Sequence, residues 1–200
     1  MSETLHSAKS TVGLKNLVIA ILSEDSESAL TYDTIQKVIG AIDATITPGN
    51  AEANIQYADD VEMDVIYPDP EITVAFTLTD LPLPIQAQIL GAKIDDNGVL
   101  VRSAGDKPPY IAIGFKAEKT DGTFRYVWIL KARAKPITES YKTKEGATIE
   151  RQTGKVEFTA IKRTHDGQHQ YVADEGVNGF DAAKAATFLS TVYEAEFTAS

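Results

Sequence analysis

The chain has 200 residues, 43% hydrophobic and 24% charged, a globular composition sized for one domain with a full core and too short for two large enzyme domains. It has no cysteine and three histidines, at positions 6, 165 and 169, which excludes disulfides, thiolate metal centres and a cysteine nucleophile and leaves little for imidazole chemistry. Its net charge of −10 is unfavourable for coating nucleic-acid phosphates or an anionic membrane.

Residues 1–12 are polar and unpatterned, an arm expected to order only against a neighbour. The first strand is expected at residues 16–22, apolar on both faces. Its apolar run, 17–22, is too short for a secretion signal and is followed by Ser23-Glu24-Asp25; no run of eighteen apolar residues offers a membrane helix. Ile42, Ala44 and Ile46 alternate with polar residues, as do Ile72, Val74, Phe76 and Leu78, predicting half-buried strands. Between them, residues 48–71 lack a clean period and carry three prolines and seven acids with no lysine or arginine. This stretch is expected to be a long functional loop, mobile in the free chain and ordered in assemblies.

A short helix opened by Pro82 or Pro84 and closed by Gly91 follows. Strands are then predicted at 98–102, 110–119, 123–133, 155–163 and 168–173. A second helix is predicted at 181–193, with Asp181 as N-cap and Ala185, Phe188, Leu189 and Val192 on one face. Residues 194–200 form a second polar arm. The fold class is therefore mainly β (α+β), a sandwich or barrel with one short helix and a C-terminal helix, in a single domain spanning 1–200.

Asp121-Gly122 suits a two-residue hairpin turn. Pairing outward sets Ala117 against Tyr126, Phe115 against Trp128, Ile113 against Leu130 and Ile111 against Ala132 on one core face. Phe115, Tyr126, Trp128 and Leu130 are the expected core of this hairpin. The opposite face pairs Glu118 with Arg125, is half apolar, and is open to two readings: a second layer of the same domain, or a subunit interface.

Catalytic signals are lacking. Asp166-Gly167 reads as another two-residue turn that would send His165 and His169 to opposite sides, against a shared metal. Asp59 and Asp60 are neighbours on an extended chain and point apart, unlike a glycosidase pair. Asp60, Glu62, Asp64 and Glu71 follow calcium-loop spacing, but Val65 replaces the required glycine. Phosphate-cradle and nucleophile-elbow motifs are missing. The expectation is no enzyme, no cofactor and no metal. Residues 1–100 sum to −12 and 101–200 to +2; the halves either attract head to tail as opposed surfaces or interleave in one sandwich.

Several strings in this chain carry a family resemblance. They are Gly13-Leu14-Lys15-Asn16, Tyr32-Asp33-Thr34, Ile39-Gly40-Ala41 with Ile46-Thr47-Pro48, and Tyr57-Ala58-Asp59-Asp60. LTDLPLPIQAQILGAKIDDNGVLV at 78–101 and PPYIAIGFKAEKTDGTFRYVWILKARAK at 108–135 complete the set. Together, over residues 13–193, the chain resembles the major tail proteins, or tail tube proteins, of bacteriophages with long non-contractile tails. The resemblance implies a β-sandwich protomer that self-assembles into hexameric rings, stacked as a tube for viral genome delivery, with other tail proteins as further partners. It implies a virion structural protein assembled in the host cytoplasm, through whose lumen DNA passes without specific binding. It also implies that loop 48–71 stacks the rings. Tyr57, Asp59, Asp60, Glu62 and Asp64 are then stacking candidates, and Lys131, Arg133 and Lys135 their basic complements. No appended immunoglobulin-like domain is visible. The alternatives are a β-sandwich module recognising carbohydrate or another surface, and the related type VI secretion tube.

Overall fold

The computed structural model describes residues 9–49, 54–58, 61–66, 71–139, 143 and 153–196, with backbone alone for 54–58 and 61–66. The chain is mainly β. In order, its elements are β1 (Thr11–Asp25), β2 (Leu30–Tyr32), β3 (Gln36–Val38), β4 (Ala41–Pro48), β5 (Asn54–Ala58), β6 (Val61–Ile66), β7 (Ile72–Leu78) and α1 (Leu83–Leu90). They continue with β8 (Lys93–Ile94), β9 (Leu100–Val101), β10 (Tyr110–Lys119), β11 (Phe124–Ala134), β12 (Gly154–Ala160), β13 (Gln170–Asp174) and α2 (Ala182–Thr187).

β1 buries Leu17, Val18, Ile19 and Ala20 in succession, so both its faces are covered, as consecutive apolar residues require. It begins at Thr11, inside the stretch expected to be an arm: Thr120 N–H donates to Ser10 O at 2.9 Å, and Lys9 pairs with Asp121. Asn16 sits at φ 54° where the register of β1 on β10 shifts; asparagine is among the few residues other than glycine that tolerate this left-handed bulge. The main antiparallel sheet runs β2-β1-β10-β11-β12-β7-β4, with β3 on β1 and β13 on β11. Strands of the acidic N-terminal half occupy both ends of this order and flank the C-terminal ones. The two halves therefore interleave in the strand order.

The β10–β11 hairpin corrects the expected register. Glu118 faces Phe124, Ala117 faces Arg125, Phe115 faces Val127, Gly114 faces Trp128 and Ile113 faces Ile129. The loop has three residues rather than two: Gly122 N–H donates to Lys119 O at 3.0 Å, Lys119 N–H to Thr123 O at 2.8 Å, and Gly122 takes φ 82°. This is a turn ending in a glycine bulge, the next commonest hairpin solution after the two-residue turn. An irregularity between Ile111 and Ile113 then returns the ladder to Ile111 opposite Ala132. Phe115 is consequently parted from Tyr126, Trp128 and Leu130 although all four are buried. Glu118 does not meet Arg125; it pairs with Lys15 at 2.6 Å, while Arg125 grips Asp174 with two bonds of 2.7 Å.

Two apolar clusters follow from this register. The inner one joins Leu17, Ile19, Val74, Phe76, Ile113, Phe115, Val127, Ile129, Val156 and Phe158 beneath α1, with β4 drawn in beside β1. Pro82 and Pro84 start α1 without interior hydrogen bonds to lose. Gly91, at φ 68°, ends it where a Cβ would lie 2.2 Å from Lys107 O. The outer cluster joins Val18, Ala112, Tyr126, Trp128 and Leu130 under Phe188. The expected half-apolar face does not exist as paired: Val127 and Ile129 join the inner cluster, while Ala112 lies with Tyr126, Trp128 and Leu130 under a layer of the same chain. α2 is shorter than the predicted 181–193 helix, yet Ala185, Phe188, Leu189 and Val192 all pack on the sheet as that pattern implied.

Candidate functional site: assembly surfaces

β11 shares one edge between two strands: β13 pairs with Arg125 to Ile129, and β12 with Ala132 to Ala134. The chain crosses between them at residues 161–169, which form no two-residue hairpin, because Arg163 N–H donates to Gln168 O and Gly167 N–H to Arg163 O. A polar network fills this fork. Asp25 accepts from Lys131 Nζ at 2.5 Å and from the N–H groups of Thr164 and His165 near 3.0 Å. Burial pushes the Asp25 carboxyl up, but these donors outweigh it and hold the group at about 2. Arg163, almost fully enclosed, pairs with Asp166 and donates to Tyr171 Oη at 2.9 Å and Tyr32 Oη at 3.3 Å. Burial lifts the Tyr32 phenol to about 12 despite this cation, and its hydroxyl donates to Leu130 O at 2.9 Å. The sequence did not join this network, naming Lys131 only as a stacking cation and His165 only against a metal role, since Asp25 and Thr164 lie 139 positions apart and neither stands in a local motif. Every charge in it has a partner, so it braces the fork.

A second brace anchors the C-terminal segment. Trp128 Nε1 donates to Phe188 O at 2.8 Å. The indole lies against Gly114, where a Cβ would be 2.7 Å away. Tyr126 donates to Glu175 at 2.8 Å, and burial followed by that carboxylate raises its phenol to about 12. Trp128 is wholly enclosed and cannot serve as a sugar-stacking platform.

The surfaces left open lie on strand edges. No described strand pairs with the outer edge of β4, or with the outer edge of β13. Ile39 and Ile42 beside or on β4 are 85% and 50% exposed, and Val172 in the middle of β13 is 55% exposed. Free edges carrying aliphatic side chains invite pairing with another chain. A further group of exposed aliphatics, Leu83, Ile94, Val99 and Val101, surrounds the small β8–β9 hairpin.

The stacking candidates separate. Within 48–71 the chain forms a β5–β6 hairpin in which Tyr57 faces Glu62 and Gln56 faces Asp64; Asp59 and Asp60 lie outside the described residues, as do the side chains of the other three. Lys131 is not a surface cation: it is 9% exposed and committed to Asp25. Arg133 is exposed and stacks on Tyr110, 3.9 Å from the ring centroid. Lys135 lies 3.7 Å from Glu157. Among the described residues, no three acidic or imidazole side chains converge as a metal site, and no helix is long and apolar enough to cross a membrane.

A family model for phage tail tube proteins matches residues 10–195. The chain belongs to the phage tail tube protein family. That span runs from just before β1 to the end of the C-terminal segment and so takes in both apolar clusters and the fork. Membership makes the chain a structural protein of the virion tail, one that assembles with itself and with other tail proteins. No curated protein matches the chain.

Proposed function

We propose that this chain, as one tail-tube domain, closes into hexameric rings that stack into the tube through which phage DNA passes, after assembly in the host cytoplasm. The observation that carries the reading is the family match over residues 10–195, to which the fold adds unlike outer edges, among them those of β4 and β13, with no partner strand among the described residues. Pairing of unlike edges between copies is heterologous, and such contacts close into rings when the rotation per copy divides the circle. The acidic hairpin region 48–71 stacks one ring on the next, with Tyr57, Asp59, Asp60, Glu62 and Asp64 meeting exposed cations such as Arg133 and Lys135. Lys131 drops out of that set because Asp25 holds it. The negative net charge lets DNA slide without adhering.

An Asp59→Lys, Asp60→Lys double variant tests the stacking role by light scattering across a salt series. Wild type assembles less as ionic strength rises toward about 1 M, where the Debye length shrinks to about 3 Å, and the variant assembles poorly throughout. Equal assembly of the two proteins at low salt would remove the electrostatic role from the loop.

A further inference from the structure

The chain carries two Asn-Gly pairs, Asn97-Gly98 and Asn178-Gly179. Both are exposed, and both glycines lie in the left-handed region, at φ 81° and 92°. Such a pair can cyclise without any cofactor. The peptide nitrogen of the glycine gives up its proton and attacks Cγ of the asparagine, the bond from Cγ to the side-chain nitrogen breaks, and ammonia leaves a five-membered succinimide. Water then opens one or the other ring carbonyl, giving aspartate or isoaspartate. Glycine favours the attack because no Cβ obstructs the approach and the backbone turns freely.

The two pairs sit in different surroundings. Gly98 N–H, the nitrogen that must lose its proton, donates to Asp95 O at 3.0 Å. Asp95 also accepts from Asn97 N–H at 2.9 Å and from Asn97 Nδ2 at 3.3 Å, which ties the side chain to that carboxylate. Its carboxylate adds negative charge where an anionic nitrogen has to form. At the second pair, neither the Gly179 N–H nor the Asn178 side chain has a hydrogen-bond partner among the described residues. There the Lys184 ammonium is held on Gly179 O at 2.9 Å, placing positive charge on the residue whose nitrogen is to be deprotonated.

We infer that Asn178-Gly179 is a site of spontaneous deamidation and isoaspartate formation, and that Asp95 protects Asn97-Gly98 from the same reaction. The reactive pair stands immediately before Phe180, which packs on Tyr126 and Phe188 with ring centroids 5.5 and 5.4 Å apart, and before Asp181, which caps α2. The new acid, or the extra backbone methylene of isoaspartate, therefore arises where the C-terminal segment begins to cover Trp128.

The test is peptide mapping by mass spectrometry of the intact chain aged at mildly alkaline pH, with fragmentation that separates isoaspartate from aspartate. Conversion at position 178 runs several-fold faster than at 97. An Asn178→Ser variant loses the product at 178 and keeps the wild-type rate at 97, and an Asp95→Ala variant speeds conversion at 97 several-fold. Equal conversion of the two pairs in wild type, or faster conversion at 97, would overturn the assignment of the site. An unchanged rate at 97 in Asp95→Ala would overturn the protective role of Asp95.

Discussion

On the face of β10–β11 that carries Ile113, Phe115, Val127 and Ile129, the neighbours are other strands and α1, whereas the face with Ala112, Tyr126, Trp128 and Leu130 is closed by residues folding back from the C-terminus. The inner face is aliphatic with phenylalanines, Phe76 meeting Phe115 and Phe158 edge to face, and it needs no polar partner. The outer face uses Tyr126 and Trp128, whose polar atoms are met by Glu175 and by Phe188 O. A mixed face of this kind carries polar tips that need hydrogen-bond partners once they are buried. Here they are hydrogen-bonding handles for a strap of the same chain, while outer edges such as those of β4 and β13 have no partner strand among the described residues.

The contrast breaks most visibly at Trp128. Trp128→Ala removes a fully enclosed indole and the hydrogen bond to Phe188 O, costing about 3–5 kcal/mol in denaturant titration. Limited proteolysis should then cut within residues 180–193 before it cuts the sheet; a strap that stays protected would mean Phe188 holds without Trp128. Lys131→Ala comes next, at about 3 kcal/mol, because it strands the Asp25 carboxylate in the fork. Gly114→Ala pushes a methyl group against the indole and costs about 2 kcal/mol, with a changed near-ultraviolet signal from Trp128, the one tryptophan in the chain.

Acid titration distinguishes the fork from both faces. Asp25 ionises at about 2 in the folded chain against an ordinary value of 3.8, so it stabilises the fold fully above that ordinary value. Its contribution, about 2 kcal/mol, fades as pH falls through about 2. Asp25→Asn should flatten this limb of the stability profile, measured by thermal melts from neutral to acidic pH; an unchanged limb would show that other groups carry it. The smallest effect is at Arg125, half exposed on Asp174: Arg125→Ala should cost under about 1 kcal/mol and leave the proteolysis pattern of the strap untouched.

Alternation made β7 legible to the residue, since Ile72, Val74, Phe76 and Leu78 enter one core while the residues between them do not. The proline and glycine punctuation of α1 was equally readable. Register was not, because Asp121-Gly122 serves a two-residue turn and a three-residue bulged loop alike, and one extra residue, Thr120, exchanges the faces of Phe115 and Trp128. The fork was illegible for another reason: Asp25, Lys131 and Arg163 are unremarkable apart and meet only after β12 and β13 divide the edge of β11 between them. Lys131 thus entered the sequence reading as a surface cation, although only Arg133 and Lys135 remain near solvent.

Electron microscopy of the negatively stained, concentrated chain is the most direct test of ring formation through unlike strand edges, performed on wild type and on an Ile42→Lys, Val172→Lys variant with both edges charged. Wild type should show six-fold rings and stacked tubes, while the variant, folded by circular dichroism, should remain dispersed. Dispersed wild-type particles at every concentration, or tubes formed equally by the variant, would contradict the account.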